Sequence, residues 1–186
     1  DHFVNIDRLL SDIGFDAQGT WSFWVKGSIG QGGEIISLSK GDADSYFSVE
    51  LGENGLLYFG FAGAFPIPTW YARAPLLKDI DQWVHVAIVQ DGQRPRVFKN
   101  GTELTIEFLK AEDKTKWFLA YPHFDNGRIG CLNSNKKGDM LFLESALDDI
   151  RYYKRALSPS EIKAISSDRG KTQSPRIADQ HQPENN

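Results

Sequence analysis

Short runs of apolar and aromatic residues recur along this chain, and dipeptides that favour tight turns separate them. The dipeptides that suit turns with positive φ are Lys40-Gly41, Asn54-Gly55, Asp91-Gly92, Asn100-Gly101 and Asn126-Gly127. Between them, apolar and polar residues alternate or apolar residues are continuous, as in half-buried and fully buried strands. This pattern predicts strands over residues 21–26, 34–38, 46–51, 56–61, 82–90, 96–99, 102–106 and 147–153. Strands and helices do not alternate, so we expect an all-β fold, a two-sheet antiparallel sandwich or jelly roll.

One short helix is predicted close to the last strand. Ser158 suits the N-cap, Pro159 suits the first helical position, and Glu161 completes a capping box. Leu157 and Ile162 flank this cap and are spaced to pack against each other. The sequence therefore predicts a C-terminal helix that begins at Pro159.

The composition changes after Asp168. Residues 169–186 contain no aromatic residue, and Ile177 is the only Ile, Leu or Val among them. A segment this polar buries too little apolar surface to offset the entropy of ordering it. We therefore expect one domain over residues 1–168 and a polar linker or disordered tail over residues 169–186.

Composition and charge exclude several classes of function. The 186 residues include 21 Lys and Arg against 25 Asp and Glu, a formal net charge of −4. No basic excess is available for nucleic acid or for an anionic membrane surface. Cys131 is the only cysteine, which excludes an internal disulfide and a cysteine-based metal cluster. No apolar run approaches the ~18 residues of a membrane-spanning helix, so membrane insertion is not expected.

Aromatic residues are abundant, with 5 Trp, 6 Tyr and 12 Phe, and two segments combine them with polar side chains. Sugars are bound by aromatic rings that stack on their C–H faces and by polar groups that hold their hydroxyls. Segment 66–73 contains two prolines, which interrupt strand ladders and leave its aromatic residues free to lie outside the core. Segment 116–126 is too aromatic for an ordinary loop, although part of it could instead cover an edge of the sandwich. The candidate ligand-binding residues are Trp70, Tyr71, Arg73, Trp117, Tyr121, His123, Asp125 and Asn126.

Trp70 is the leading candidate among these residues. We expect Trp70→Ala to weaken ligand binding with little loss of stability.

Three stretches carry a resemblance to a known family. They are residues 19–26, residues 81–89 with the hairpin at 99–101, and residues 147–158 with Glu161-Ile162. In this order and spacing the chain resembles the laminin-G-like branch of the concanavalin A-like lectin/glucanase superfamily, over about residues 3–165. The resemblance implies a jelly roll with one concave and one convex face. It also implies an extracellular or cell-surface location.

The resemblance further implies a structural calcium ion. By motif position Asp148 would be a ligand, and the carbonyl of Gly41 could contribute another oxygen, as hard cations prefer. Strand alternation places Asp148 on one face with Ile150 and Tyr152, where a carboxylate needs compensation. A hydrogen-bonding role for Asp148 is the alternative to calcium binding.

Other conspicuous residues are expected to be structural. Strand patterns that recur in the family contain Trp21, Phe23, Trp24 and Trp83, for which we expect core positions. His85 lies within a strong predicted strand and is expected to be a structural histidine. Cys131 is expected to be a small buried apolar residue.

Catalysis has little support in the sequence. Retaining glycanases of the superfamily carry two glutamates that flank an aspartate on one strand face, whereas the glutamates of this chain are scattered. We therefore expect a non-catalytic carbohydrate-binding module for a polysaccharide or glycan, which could target an attached enzyme. A protein-interaction or adhesion domain is the alternative, and a glycoside hydrolase or polysaccharide lyase of the same fold is a third.

Overall fold

A computed structural model describes residues 2–14, 16–40, 45–63, 68–76, 82–121, 124–134 and 138–168. Its strands are β1 (Val4–Asn5), β2 (Gly19–Lys26), β3 (Gly33–Ser39), β4 (Ser45–Leu51), β5 (Leu56–Gly63), β6 (Trp70–Pro75), β7 (Val84–Gln90), β8 (Pro95–Lys99), β9 (Thr102–Glu103), β10 (Glu107–Ala111), β11 (Asn126–Ile129), β12 (Leu132–Ser134), β13 (Gly138–Met140) and β14 (Ala146–Tyr153). The helices are α1 (Leu10–Ile13) and α2 (Pro159–Ser166), with short 3₁₀ turns at Asp7–Leu9 and Phe118–Ala120. None of these helices combines the length and apolar character needed to cross a membrane.

The strands form two large antiparallel sheets. A seven-stranded sheet has the order β1-β11-β3-β4-β5-β6-β10, and a five-stranded sheet has the order β14-β2-β7-β8-β9. The inner faces of both sheets contribute to one apolar cluster, which places the core between them. This is the two-sheet jelly-roll sandwich that the sequence predicts.

Strand alternation sorts the side chains of the large sheet into two faces. On β4, Phe47, Val49 and Leu51 are buried in the core, whereas Tyr46 and Glu50 on the other face stay partly exposed. On β5, Leu57, Phe59 and Phe61 are likewise buried. The outer face of this sheet is therefore the one with polar and tyrosine side chains.

The segment before β11 fills the space between the sheets. Trp117 stacks on Phe118 with ring centroids 4.3 Å apart, and both rings are buried. The ring of Phe118 meets Phe47 of the large sheet at 5.0 Å and Tyr152 of the small sheet at 6.0 Å. Residues 116–121 thus bridge the two sheets, because their aromatic rings pack in the core.

Helix α2 covers part of the outer face of the small sheet. The side chain of Ser158 accepts a hydrogen bond from the backbone of Glu161, whose carboxylate accepts one from the Ser158 backbone N–H at 2.8 Å. Leu157 and Ile162 are buried against Val89 and neighbouring strand residues. The predicted capping box and the apolar contact across it are both confirmed.

The hairpin of β12 and β13 covers one side of the large sheet's outer face. Ser37 on β3 donates its hydroxyl to the Cys131 carbonyl at 2.9 Å, and Ser39 donates to the Asn133 carbonyl at 3.0 Å. The outer face of β4, β5 and β6 has no such cover among the described residues. An open surface therefore remains beside the hairpin.

Several sequence-based expectations need correction. Segment 66–73 was expected to avoid regular structure, but residues 70–75 form strand β6, which pairs with β5 and β10. Asn126 and Gly127 lie in strand β11, so the turn predicted there is wrong. Cys131, Trp21, Phe23 and Trp24 are buried, as expected, whereas Trp83 is only partly buried and precedes β7.

Candidate functional site

The outer face of the large sheet brings together tyrosine and glutamate side chains from neighbouring strands. Glu34 on β3 pairs with Glu50 on β4, Glu50 pairs with Tyr58 on β5, and Tyr58 pairs with Arg73 on β6. Directly paired residues on one face have their Cβ atoms about 4.5–5.5 Å apart. This register therefore forms a row of polar and aromatic side chains across the sheet.

Two tyrosine rings form an aromatic surface beside this row. The rings of Tyr58 and Tyr71 are nearly parallel, with an angle of 23° and centroids 6.5 Å apart, and both side chains are partly exposed. Asn54 donates a hydrogen bond to the Tyr58 hydroxyl at 3.1 Å, which fixes that hydroxyl at the rim. The two rings can receive the flat apolar face of a ligand.

A groove of about 560 Å³ lies over these rings. Its lining residues are Glu50, Gly52, Glu53, Asn54, Tyr58 and Tyr71. The volume falls within the ~300–1,000 Å³ that small-molecule sites occupy. The lining combines aromatic rings with carboxylate and amide groups, which is the chemistry that sugar recognition needs.

Glu34 lies at one end of this row and is almost fully buried, with 1% of its surface exposed. The register of β3 against β4 shifts between Glu34 and Ile36, and the Glu34 carboxylate accepts the Val49 backbone N–H at 3.0 Å. The side chain thus supplies a hydrogen-bond acceptor at an irregularity in the ladder. Burial raises the pKa of Glu34 well above its ordinary value, and the nearby Glu50 carboxylate raises it further.

The pKa values of Glu50 and of two tyrosines on this face are also raised. Burial raises the pKa of Glu50. Burial and the charges of Glu34 and Glu50 raise the pKa of Tyr46, and the same causes raise the pKa of Tyr71. Both tyrosine hydroxyls consequently keep their protons at neutral pH and can donate hydrogen bonds.

Arg73 lies at the other end of the row, and its side chain forms an ion pair with Glu107. Its guanidinium donates two hydrogen bonds of 2.9 Å to the two oxygens of Glu107 on β10. These bonds hold the pKa of Arg73 above its ordinary value. Arg73 and Tyr71, both candidates from the sequence, therefore do lie on the open outer face.

Trp70 does not lie there, and the sequence-based expectation for it is wrong. Its side chain is 0% exposed, its ring is stacked at 3° against Trp117, and its Nε1 donates to the Lys116 carbonyl at 2.8 Å. Strand alternation on β6 is the reason, because Tyr71 faces outward and Trp70 must then face the core. Trp70 cannot stack on a ligand in this structure.

Trp117, Tyr121 and Asn126 are likewise buried, which corrects their assignment as ligand-binding residues. Tyr121 stacks on Phe61 with centroids 3.8 Å apart. The Asn126 side chain donates a hydrogen bond to Asn133, so it joins β11 to β12. Asp125 is exposed but belongs to none of the described groove-lining residues, and His123 lies outside the described residues.

Strand alternation alone predicts that Asp148 shares a face with Ile150, but in the structure the two side chains lie on opposite faces. The pairing of β14 with β2 shifts between Asp148 and Arg151, and Asp149 adopts φ +49° in the shift. The extra residue changes the alternation, so Leu147 and Ile150 pack on the core while Asp148 is exposed. The argument that a buried carboxylate requires a cation therefore does not apply to Asp148.

Calcium binding stays a prediction of the resemblance. Calcium takes about six to eight oxygen ligands, and the described residues contain no group of three or more His, Cys, Asp or Glu side chains placed to hold a metal ion. Gly41 lies outside the described residues.

If calcium is bound, the melting temperature should fall when EDTA replaces calcium in the buffer. An unchanged melting temperature would contradict the prediction.

His85 behaves as a buried structural residue, as expected. Its Nε2 lies 2.9 Å from the Ser22 hydroxyl, and burial lowers the pKa of the imidazole to about 4. A catalytic serine and histidine need a third group that orients the histidine, but His85 Nδ1 has no hydrogen-bond partner among the described atoms. With His85 only 1% exposed, this pair does not offer an accessible nucleophile.

Sequence reasoning missed most of the outer-face residues. Tyr46, Glu50 and Tyr58 lie in predicted strands, and their alternation with Phe47, Val49, Leu57 and Phe59 already separates two faces. The identification of the face that stays open depends on which face packs against the other sheet. The direct pairing of Glu34 with Glu50 depends on strand register.

Comparisons with known proteins agree on the architecture. The sequence model of the concanavalin A-like lectin/glucanases superfamily termed Laminin_G_3 matches residues 4–163. A comparison with curated protein sequences finds no significant match. The carbohydrate-binding module CBM40 of the Ruminococcus gnavus IT-sialidase, solved with α2,3-sialyllactose, aligns with TM-score 0.68 and 18% identity over 84% of this chain and 86% of that chain.

Two further solved structures have the same fold. A heptameric SAP-like pentraxin from Limulus polyphemus aligns with TM-score 0.61 and 20% identity, over 85% of this chain and 73% of that chain. A leech intramolecular trans-sialidase, solved with 2,7-anhydro-Neu5Ac, aligns with TM-score 0.69 and 19% identity, over 89% of this chain and 27% of that chain. At such low identities these alignments establish the fold alone.

Proposed function

The chain belongs to the concanavalin A-like lectin/glucanase superfamily, in the group that the laminin-G-like sequence model describes, and we propose that it is a carbohydrate-binding module. Its glycan occupies the groove over β4, β5 and β6. The observation that carries the proposal is the parallel, partly exposed pair of Tyr58 and Tyr71 rings among carboxylate and amide groups. A sugar ring can stack on these tyrosines while Glu50 and Asn54 bind its hydroxyls.

The shape of the surface favours a sugar over a protein partner. A protein-binding surface is expected to be a broad apolar patch with a polar rim. The outer face has instead an open groove of about 560 Å³, in which two tyrosine rings lie among carboxylate and amide groups. The Ruminococcus gnavus module, which has been solved with α2,3- and with α2,6-sialyllactose, supports glycan binding by this fold. An extracellular or cell-surface location stays a prediction of the resemblance.

The proposal does not include catalysis, although Glu34 and Glu50 are direct neighbours across two strands. Retaining glycosidases need two free carboxyl groups about 5–5.5 Å apart on either side of the glycosidic bond. The Glu34 carboxylate is buried and accepts the Val49 N–H, so it contacts the sheet and not the groove. Release of reducing sugar from bound polysaccharides would contradict this part of the proposal.

Substitution of Tyr71 tests the proposed site. We expect Tyr71→Ala to weaken binding of the best ligand from a glycan array by about tenfold, because one of two stacking rings is lost. Isothermal titration calorimetry measures the change. Tyr71→Phe is the matched control: it keeps the ring and should retain most of the affinity. Unchanged affinity in a folded Tyr71→Ala variant would exclude the groove as the binding site.

A further inference from the structure

The groove over Tyr58 and Tyr71 carries negative charge. Two of its lining residues are carboxylates, Glu50 in the wall and Glu53 at the exposed rim, and none of its described lining residues is Lys or Arg. A ligand in this groove therefore meets the carboxylates of Glu50 and Glu53 together with neutral hydrogen-bonding groups.

The cations that strand pairing places next to the tyrosines already have carboxylate partners. Arg73, beside Tyr58, makes two hydrogen bonds to Glu107. Lys110, beside Tyr71, has its Nζ 3.6 Å from a Glu112 carboxylate oxygen. Recognition of an anionic sugar relies on charge-assisted donors, and neither of these two groups is among the described residues that line the groove.

Resting on the glycan-binding groove proposed above, we infer that Glu50 and Glu53 are specificity-determining residues that select uncharged glycans and exclude sialylated and sulfated ones. The carboxylates accept hydrogen bonds from sugar hydroxyls, which every uncharged hexose offers. The same carboxylates repel a ligand carboxylate or sulfate, because like charges without an intervening cation are unfavourable. The ligand class thus differs from the sialyllactose seen in the Ruminococcus gnavus module, with which this chain shares the fold.

The test is a glycan array in which each oligosaccharide is present both as its uncharged form and with a terminal sialic acid or sulfate group. Calorimetry then compares the best uncharged ligand with its sialylated form. We expect sialylation to weaken binding by at least about tenfold at low salt, with a smaller difference at about 0.5 M NaCl, where charges are screened.

Charge variants connect the selectivity to the two glutamates. Glu50→Gln and Glu53→Gln should each reduce the difference between uncharged and sialylated ligands, and Glu53→Lys should reduce it most. Asp125→Asn is a matched control, because it removes one exposed carboxylate that is not among the described lining residues. It should leave the difference unchanged.

The outcomes distinguish this inference from the proposed function. Preferential binding of the sialylated or sulfated forms, lost in Tyr71→Ala, would overturn the charge selectivity and leave the groove as a glycan site. Selectivity for uncharged glycans that persists in the glutamate variants would overturn the role of Glu50 and Glu53. Failure of the folded protein to bind any glycan would overturn the proposed function and the selectivity together.

Discussion

Trp70→Ala is expected to lower the free energy of unfolding by about 3–5 kcal/mol, the usual cost of removing a large buried aromatic side chain. The ring of Trp70 stacks on Trp117 and meets the edges of Phe59 and Phe61 with centroids 6.0 and 5.5 Å away. Gly60 also lies against the ring, since a Cβ there would be 2.8 Å from the Trp70 Cε3 atom. Neighbours packed this tightly cannot easily fill the cavity.

The substitution also removes a partly buried hydrogen bond. The Lys116 carbonyl accepts the Trp70 Nε1–H, and without it this acceptor depends on Gln90 Nε2, which also donates to it at 3.0 Å. Chemical denaturation measures the loss, with thermal unfolding as a second readout. Tyr71→Ala is the matched control on the adjacent, outward-facing residue, and it should cost much less stability while weakening glycan binding.

The pair of variants separates two roles on one strand. If Trp70→Ala remained nearly as stable as the parent protein but lost glycan binding, the position of Trp70 in the core would be wrong. Strand alternation on β6 predicts the reverse: substitution of Trp70 lowers stability, whereas substitution of Tyr71 weakens glycan binding.

Glu34 should make the protein less stable as the pH rises. Its ordinary pKa is 4.5 and burial raises the pKa in the folded state. Below pH 4.5 both the folded and unfolded states are protonated, and the full stability is present. As the pH rises from there through the raised pKa, the unfolded chain releases its proton first, so stability is lost.

Two substitutions of Glu34 separate its charge from its hydrogen bond. Glu34→Gln keeps an acceptor for the Val49 N–H but cannot ionise, so its stability relative to the parent protein should improve as the pH rises from 4.5 through the raised pKa of Glu34. Glu34→Ala cannot ionise either, but it leaves the Val49 N–H without this acceptor, so it should be less stable than Glu34→Gln by about 1–3 kcal/mol at every pH.

Urea denaturation at a series of pH values measures both effects. Glu50→Gln is the control, because Glu50 also has a raised pKa but is only partly buried. A pH profile of Glu34→Gln parallel to that of the parent protein would mean that Glu34 does not ionise with a raised pKa. Because the Glu50 carboxylate raises the pKa of Glu34, the profile of Glu50→Gln reports the ionisation of Glu50 together with its effect on Glu34.

The strand framework could be predicted because its signals are local. Turn dipeptides such as Asn54-Gly55 and Asn100-Gly101 adopt backbone with positive φ at Gly55, Asn100 and Gly101. The helix that begins at Pro159 could be predicted for the same reason, since its capping box involves residues three positions apart. Patterns of this kind need no information about distant parts of the chain.

The site depends on relationships that local patterns do not contain. The prolines of segment 66–73 suggested an irregular loop, but pairing with β5 and β10 makes residues 70–75 a strand with Trp70 inside. One added residue at Asp149 reversed the face on which Asp148 lies. A shift of one position moves every following side chain to the other face, so pairing must be known before the faces can be assigned.

Sequence alone was sufficient for the family and the two-sheet architecture, because alternation and turn chemistry act between near neighbours. It could not place Glu34 beside Glu50 or the ring of Tyr58 beside that of Tyr71, since these pairs are joined by strand register. It also could not distinguish the buried tryptophans from an exposed aromatic platform. That difference arises only when two sheets pack together and one face of each loses its contact with water.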